Sequence, residues 1–308
     1  MGTKLCAISV DLDEIPNYYA IHGVRGESLG EGSTAVYDVA VPRLCRLAAS
    51  LAVPLTLFAV GDDLERPESA GALRIALGEG HAVGNHSRSH LYDLTRRPRA
   101  AIAREIDEGA MSIERACGTR PIGFRAPGYT INDEVFAILG ALGFAYDSSV
   151  FPCPSYMLAK DAAIAAYSLM RRPSRSVIDT PAVLIAPTRP YRVGKPYWRR
   201  GRGMLELPIQ VTRRLRLPYI GTSLMMAGPS GARWLTRGVI GEPLINLELH
   251  GIDLLDEHDQ GLAPLSRSQR DLRIPLARKA DVLEAVVSML RAKGYSFVTL
   301  DEAARSFS

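Results

Sequence analysis

Two histidines that stand four residues apart, His86 and His90, are the first candidates for chemistry in this sequence. Imidazoles at this spacing can face the same way and share one divalent metal ion. A pair of surface histidines is the alternative interpretation. The chain has six histidines in all, and a close pair at the end of a predicted strand favours the metal site.

Acidic residues follow the first apolar segment of the chain, where Asp11, Asp13 and Glu14 occur close together. A helix N-cap or a solvated turn is the alternative, but Asp11 directly follows an apolar strand and is expected to point into the mouth of a barrel. One of two such carboxylates can bind a cation while the other stays unbound as a base. An aspartate with two histidines is a three-ligand set typical of catalytic zinc, which lowers the pKa of its water to about 7.

Two more ionisable residues end predicted strands, Arg125 before Ala126-Pro127 and His250 in the run Leu247–His250. The planar fork of an arginine can hold a carboxylate in a fixed orientation, although a surface arginine is the alternative. A lone histidine is usually explained as a core or surface residue. The position of His250 opposite the candidate ligands favours a general acid for a leaving amine.

The elements that must position these residues alternate along the chain. The predicted strands are 4–11, 54–60, 81–85, 121–125, 144–149, 203–211, 243–249 and 295–300. The predicted helices are 36–51, 68–78, 98–117, 132–142, 279–293 and a terminal helix. This order predicts an α/β fold of parallel strands with right-handed helical crossovers. Catalytic residues of parallel barrels gather where strands end, and ionisable residues follow these predicted strands: Asp11, Asp13, His86, Arg125, Asp147 and His250.

Length and composition are those of a globular protein, with 308 residues of which 47% are hydrophobic and 23% charged. This length is within the range of one α/β barrel, so we predict a single domain over residues 1–308. A loop containing Gly23, Gly26, Gly30 and Gly32 follows the first strand. The stretch 150–202 is rich in Pro and Arg, and we predict an irregular basic excursion from the barrel over about 150–237.

The four cysteines lie far apart and form no CxxC pair, which predicts free thiols in a reducing compartment. The N-terminal apolar run is too short for a signal-peptide core. The sequence has no stretch of about 18 apolar residues that would span a membrane. These observations together predict a cytoplasmic location.

The net charge of +4 is distributed unevenly. Residues 171–237 contain 14 Lys and Arg and two acids, a charge of +12, so the remainder carries 4 − 12 = −8. Arginines with aromatic residues at 189–192 and 195–200 suit phosphate groups and sugar rings. We therefore expect an anionic substrate, a nucleotide-sugar or a lipid-phosphate-linked sugar at the inner membrane face. A solvated basic surface is the alternative, and no nucleic-acid motif accompanies the charge.

Taken together, five short motifs between residues 9 and 250 resemble those of the NodB-homology polysaccharide deacetylases, carbohydrate esterase family 4. The spacing Asp11-Leu12-Asp13 is similar to the branch with lipid-linked sugar deformylases and allantoinase-like members. The resemblance implies that Asp11 is the catalytic base and that the metal ligands are Asp13, His86 and His90. It also implies that Arg125 orients Asp11 and that His250 is the general acid.

The remaining motifs resemble the family less closely. By resemblance, the turn Pro127, Gly128 and Tyr129 contacts substrate, and a backbone N–H near Gly128 or Tyr129 helps to hold the oxyanion. Asp147 stands where the family often has an aspartate pair before tryptophan, and it would accept the other ring proton of His250. The resemblance implies a distorted (β/α)7 barrel, a divalent metal such as Zn²⁺, and hydrolysis of an N-acyl or O-acyl group, commonly N-acetyl on a hexosamine.

Two other functions stay open at this point. One is a metal-independent ureide or imide hydrolase of the allantoinase-like branch, which the intact Asp13, His86 and His90 disfavour. The other is a non-catalytic carbohydrate-binding protein, which the retained candidate base and acid disfavour. The sequence does not specify the sugar, the acyl group or the metal, and it leaves a homo-oligomer open.

Overall fold

The computed structural model describes residues 4–23, 33–169, 175–177 and 180–308. Most of the predicted glycine-containing loop, residues 24–32, lies outside these described residues. Residues 170–174 and 178–179, which include the start of the basic segment, also lie outside them.

One sheet of nine strands forms the centre of the described structure. The strands are β1 (Leu5–Asp11), β2 (Leu55–Ala59), β3 (Ala82–Asn85), β4 (Gly123–Phe124), β5 (Tyr146–Asp147), β6 (Tyr191–Val193), β7 (Arg200–Glu206), β8 (Leu244–His250) and β9 (Ser296–Phe297). Parallel pairing joins β7-β5-β4-β3-β2-β1-β8 in that order. β6 pairs antiparallel with β7 at one edge, and β9 pairs with the start of β1.

The central strands are apolar because both faces of the sheet are covered. All seven residues of β1 are buried, as expected for a parallel strand between two layers. Beyond β7 the chain reaches back to β8, where the Gln210 N–H donates to the Asn246 carbonyl over 3.0 Å and Ile220 bridges Glu248. The sheet therefore curls toward closure, and the prediction of a distorted (β/α)7 barrel is confirmed.

Helices cover the outside of the curled sheet. They are α1 (Ile15–Ile21), a π-helical turn (Val36–Ala40) that continues into α2 (Val41–Leu51), α3 (Pro67–Gly78), α4 (Arg99–Cys117), α5 (Asp133–Ala141), α6 (Pro154–Leu169), α7 (Gly221–Val239), α8 (Leu276–Ala292) and α9 (Leu300–Phe307). The largest group of buried apolar side chains lies between β1, β2, β8 and the helices α2, α7 and α8. None of the helices in the described ranges is both long and apolar enough to cross a bilayer.

The structure corrects the prediction for the middle of the chain. The stretch 150–202 was expected to be irregular, but it contains α6, β6 and the first residues of β7. The predicted strand 203–211 begins earlier, at Arg200, and ends at Glu206. Helix α7 was not predicted. The basic segment, residues 171–237, thus contains β6, β7 and most of α7.

Candidate metal and catalytic site

Three buried side chains meet at the carboxyl ends of β1 and β3. Asp13 lies two residues beyond β1, and His86 and His90 follow β3. The Asp13 Oδ1 atom is 3.2 Å from His86 Nε2 and 3.1 Å from His90 Nε2. One ligand atom from each of the three residues lies within 4.8 Å of the others. The structure therefore brings together the three residues that the sequence singled out as metal ligands.

The donor set fits a divalent cation. Asp13 Oδ1 and His90 Nε2 are buried and have no hydrogen-bond partner among the described residues, which is costly unless something else satisfies them. Burial by itself raises the pKa of Asp13, but His90 and His86 outweigh it and hold that pKa well below its usual value. An anionic carboxylate oxygen facing two imidazole nitrogens is a ligand set that zinc and related ions accept.

The backbone around the histidines fixes their orientation. The His86 Nδ1 atom lies 2.8 Å from the Arg125 carbonyl, and donation there leaves Nε2 for a ligand. Ser87 and His90 both have positive φ angles, 66° and 56°. Such backbone strain persists in non-glycine residues only where surrounding contacts hold it.

Glu105 on α4 supplies those contacts, and the sequence analysis did not identify it. Its Oε1 atom accepts hydrogen bonds from Ser87 Oγ (3.1 Å), from the Ser89 N–H (2.6 Å) and from Ser89 Oγ (3.0 Å). Ser87 Oγ in turn accepts from the His90 N–H over 3.1 Å. Glu105 therefore positions the loop between the two histidines from a helix that no motif spacing links to it.

Arg125 holds the second aspartate beside the ligands. Its Nη1 donates to Asp11 Oδ1 over 2.7 Å, and Asp11 Oδ2 lies 3.8 Å from His86 Nε2. The guanidinium is fully buried, and it also donates to Ser9 Oγ and to the carbonyl and hydroxyl oxygens of Ser148. Asp11 is thereby fixed with one oxygen turned toward the ligand cluster, as expected of a base.

His250 faces the cluster from the end of β8. Its Nδ1 lies 2.9 Å from Glu248 Oε1, and its Nε2 lies 3.4 Å from the Tyr129 hydroxyl. Burial disfavours the charged imidazole, but the Glu248 carboxylate outweighs it and raises the pKa of His250 well above its ordinary value. The pairing favours the protonated imidazole, as a proton donor requires, and Glu248 is a site residue that the sequence analysis missed.

Asp147 does not contact His250, so the prediction that it accepts the ring proton of His250 is wrong. Its carboxylate accepts from the N–H and the hydroxyl of Ser149, each over 2.9 Å, and it pairs in register with Glu206 on β7. Burial raises the pKa of both carboxyls, and the charge of Asp147 raises that of Glu206 further. Asp147 and Glu206 are therefore a buried carboxyl pair on neighbouring strands, outside the ligand cluster.

The predicted substrate-binding turn, Pro127–Tyr129, is a short 3-10 turn after β4. Gly128 and Tyr129 line the cavity over the site, while Pro127 is buried in the same turn. Their φ angles are 61° at Gly128 and 63° at Tyr129. The Tyr129 N–H donates to the Ala126 carbonyl over 2.9 Å. Of the two N–H groups expected to hold the oxyanion, that of Tyr129 therefore already has a partner within the turn.

A cavity of about 240 Å³ covers the site at the carboxyl end of the sheet. Its floor carries Asp11, Asp13, His86 and His250, and helix α6 forms one wall. Aromatic side chains make up much of the rest: Tyr18, Tyr92, Tyr129, Tyr156 and Tyr167. A candidate base, a candidate acid and two of the three candidate ligands, Asp13 and His86, therefore face one small cavity with rings that can pack against a sugar.

Known proteins resemble this chain in sequence over part of its length. Residues 35–146 match the family model described as polysaccharide deacetylase. The peptidoglycan deacetylase of Helicobacter pylori is 26% identical over 152 residues, which covers 47% of this chain and 49% of that protein. The peptidoglycan-N-acetylglucosamine deacetylase of Bacillus cereus is 28% identical over 131 residues, 42% of this chain and 57% of that protein. The chain thus spans about half the length of the curated relatives it matches.

Solved structures resemble it over nearly its whole length. A Mycobacterium smegmatis structure described as a polysaccharide deacetylase has a TM-score of 0.62 at 18% identity, covering 99% of this chain and 90% of that one. A carbohydrate esterase 4 pseudoenzyme from Bacillus anthracis has a TM-score of 0.52 at 12% identity, covering 98% and 66%. At these identities the likeness shows the fold alone. Because the fold also occurs in a pseudoenzyme, the fold alone does not show that this chain is catalytic.

The family match over residues 35–146 and the shared fold over almost the entire chain agree with the order of the site motifs. Residues 35–146 are therefore identified as a polysaccharide deacetylase domain, of the NodB-homology or carbohydrate esterase 4 group.

Proposed function

We propose that this protein is a metal-dependent hydrolase that removes an N-acyl group, foremost an N-acetyl group, from an amino sugar. One observation carries the proposal. The buried cluster Asp13, His86 and His90 reaches one cavity through Asp13 and His86. The same cavity is lined by Asp11, which Arg125 holds, and by His250, which pairs with Glu248. The names of the curated relatives, which are peptidoglycan deacetylases, support the same chemistry.

The protein residues divide the proton transfers between two sides of the cavity. A divalent ion such as Zn²⁺, held by Asp13, His86 and His90, would supply Lewis acidity at the acyl carbonyl. Asp11 accepts a proton from the attacking water, and Arg125 keeps its carboxylate in the orientation for that transfer. His250 donates its proton to the leaving nitrogen as the C–N bond breaks, which completes the release of the carboxylic acid and the amine.

The surroundings support an amino sugar as the substrate. A cavity of about 240 Å³ is small beside typical ligand pockets of about 300–1,000 Å³, which suits one sugar ring better than several. Tyrosine rings line it, and such rings combine apolar faces with hydroxyls that can bond to sugar oxygens.

The four cysteines are free, which supports a reducing compartment, and we propose the cytoplasm as the location.

Variants of the base and of a ligand separate catalysis from metal binding. We expect Asp11→Asn to lower turnover by at least about 10²-fold while the metal is retained, because removing a general base has that scale of effect. His86→Ala should lose both metal and turnover. Release of acetate and formate from N-acetyl and N-formyl amino sugars, measured beside metal content by mass spectrometry, tests both.

Asp147→Asn is the matched control, because Asp147 also ends a strand but lies outside the ligand cluster. It should keep turnover within a few-fold of the parent. Normal turnover in Asp11→Asn would refute the base assignment. Failure of the folded, metal-loaded protein to release acid from any of these sugars, with sugar binding retained, would favour the non-catalytic carbohydrate-binding alternative. Full turnover of a metal-free preparation would favour the metal-independent hydrolase.

A further inference from the structure

Arginines from three separate segments of the chain line a second cavity, which has a volume of about 840 Å³. We call it the arginine-lined cavity, and its basic side chains are Arg189, Arg213, Arg214 and Arg237. Among the described residues, Glu242 is the one acidic side chain of the lining, so the net charge there is +3. A concave surface with this surplus of positive charge attracts anions.

This cavity lies away from the candidate catalytic site. Glu242 stands two residues before β8 begins, whereas His250 ends that strand. β8 has seven residues, so at 3.3 Å per residue it is about 23 Å long. The arginine-lined cavity and the cavity over the candidate metal ligands have no lining residue in common within the described ranges. A ligand held by these arginines would therefore occupy a second site.

Glu242 holds two of the arginines in position. Its carboxylate is buried, Arg189 Nε donates to its Oε2 over 2.6 Å, and Arg213 Nε lies 3.2 Å from its Oε1. The Nη1 of Arg213 also donates to the Ile240 carbonyl over 3.2 Å. Both arginine side chains nevertheless stay about half exposed, at 50% and 49%. Because their orientation is already fixed, they lose less side-chain entropy when a ligand binds.

Arg214 and Arg237 carry the charge that Glu242 does not neutralise. Both side chains are exposed and line the cavity. Neither forms an ion pair with an acid in the part of the chain that the structure describes. A guanidinium group can bind two phosphate oxygens at once through parallel N–H groups. The pair is therefore suited to an anion that carries more than one negative charge.

An indole ring lines the same cavity beside the guanidinium groups. Trp234, Arg237 and Gly238 share one side of α7, because residues three and four apart on a helix are neighbours. The Gly238 carbonyl accepts from the Arg213 N–H over 3.0 Å, and a Cβ at Gly238 would lie 2.8 Å from Thr212 Cγ2. The helix with the ring therefore packs directly against the turn with the arginines. Trp234 is 55% exposed, which leaves ring surface that can stack on a nucleobase.

We propose that the arginine-lined cavity binds a nucleoside diphosphate, with the phosphates at Arg214 and Arg237 and the base against Trp234. Such a ligand carries about three negative charges at neutral pH, which match the net charge of +3 in the lining. The volume of about 840 Å³ is within the range of about 300–1,000 Å³ typical of small-molecule pockets. The proposal does not depend on the proposed function, because none of these residues takes part in the hydrolysis.

Isothermal titration calorimetry of the full chain with ADP tests the phosphate contacts. We expect Arg214→Gln combined with Arg237→Gln to weaken ADP binding at least about tenfold, because two charge-assisted contacts to phosphate are lost. Arg233→Gln is the matched control, since Arg233 is an exposed arginine of the same helix that does not line the cavity. It should bind ADP like the parent. Circular dichroism confirms that each variant is folded.

Pyrophosphate and adenosine separate the contributions of the phosphates and the base. The parent should bind ADP at least about tenfold more tightly than either. Trp234→Leu should weaken ADP to the affinity of pyrophosphate and leave pyrophosphate within a few-fold of the parent. The chain has two tryptophans, so in a Trp198→Phe background the emission comes from Trp234 alone. ADP should quench this emission, whereas pyrophosphate should not.

Four results would overturn the nucleotide site. If the parent does not bind ADP, the arginines form a solvated basic surface. If the double arginine variant binds ADP as tightly as the parent, the nucleotide binds elsewhere on the chain. Equal affinities of the parent for ADP and pyrophosphate would leave no role for the base. Binding of single-stranded RNA without binding of ADP would assign the surface to nucleic acid.

Discussion

Arg125 couples the two halves of the candidate site at the scale of single residues. Its guanidinium orients Asp11, while its carbonyl accepts from His86 Nδ1. The side chain is fully buried and packs 4.3 Å from the Phe58 ring centroid, so its position is determined by the core. A shift of Arg125 would therefore move the base and a metal ligand together, and substitutions here should not separate their roles.

Glu248 determines how strongly His250 holds its proton. Glu248→Gln removes the charge that raises the pKa of His250, so the imidazole should lose its proton at lower pH. Because the proposed mechanism makes His250 the acid, we expect the alkaline limb of the pH–rate profile to move to lower pH. The rate at pH 8 should fall at least about tenfold. Rates across the pH range on a soluble N-acyl amino sugar measure this.

Glu284→Gln on the exposed side of α8 removes one carboxylate far from the site and serves as the control. Its pH profile should coincide with that of the parent. If the alkaline limb of the Glu248→Gln profile stays at the pH of the parent, even with a lower rate, then Glu248 has only a structural role.

Most of the site residues could be predicted from the sequence because they lie at the ends of predicted strands. The exceptions have physical reasons. Parallel strands bring their carboxyl ends together, so Asp13, His86 and His250 could be expected to meet. Glu248 was recognisable in principle, because alternate residues of a strand share one face and His250 is two residues further along. The family pattern pointed to Asp147 instead. Glu105 reaches the histidine loop from α4, and nothing in its local sequence marks it.

At the scale of elements, α4 packs closely enough to shape the loop that carries the histidines. A Cβ atom at Gly109 would lie 2.7 Å from the Ser87 carbonyl carbon and 2.8 Å from the Arg88 nitrogen. Gly109→Ala should therefore push the loop, lowering the free energy of unfolding by about 1–3 kcal/mol and weakening zinc binding. Urea unfolding and a competitive zinc titration measure the two effects.

Gly140→Ala on α5 is the matched helical control. A Cβ at Gly140 meets no atom within 4 Å, so this substitution should raise the free energy of unfolding by about 0.4–1 kcal/mol and leave zinc binding unchanged. Equal behaviour of the two variants would contradict the proposed contact between α4 and the loop.

Helices with one apolar face were predictable, whereas α6 and α7 were not. The periodic segments that became α2, α4 and α5 lie within a few residues of the predicted ranges. α6 is apolar on both sides, so it has no period to detect. α7 contains Gly228, with a φ of 64°, followed by Pro229, a pair that predicts a chain break. In α7, packing against the barrel overrides the local pattern.

The buried pair Asp147–Glu206 joins β5 to β7 and should make stability depend on pH. A carboxyl whose pKa is raised in the native protein, as burial does to Glu206, keeps its proton where the unfolded chain has lost it. The free energy of unfolding therefore falls as pH rises above about 4.3. Glu206→Gln carries no such proton, so between pH 5 and pH 8 its stability should fall by at least about 1 kcal/mol less than that of the parent.

Urea unfolding at both pH values measures the difference. Glu134→Gln, whose carboxylate on α5 is 42% exposed, should retain the pH dependence of the parent. If Glu206→Gln keeps the same dependence, the pKa of Glu206 is not raised in the native sheet.

At the scale of the whole molecule, the two ends of the sheet carry different surfaces. The carboxyl ends hold the candidate site and the apolar α6, while the arginine-lined cavity lies at the amino end of β8. The sequence predicted a single basic segment, because charge along a chain does not show which residues the fold separates. The structure divides that segment between the two ends.

Metal removal should affect the stability of the entire fold, because the candidate ligands lie just after β1 and just after β3, far apart in the chain. An ion that binds only the native protein stabilises it by about 2.7 kcal/mol at 100 times its Kd. A chelator should therefore lower the Tm of the zinc-loaded protein by several degrees, as differential scanning fluorimetry would show. Asp13→Asn already lacks a ligand, so its Tm should not respond. An equal response in both proteins would place the ion elsewhere.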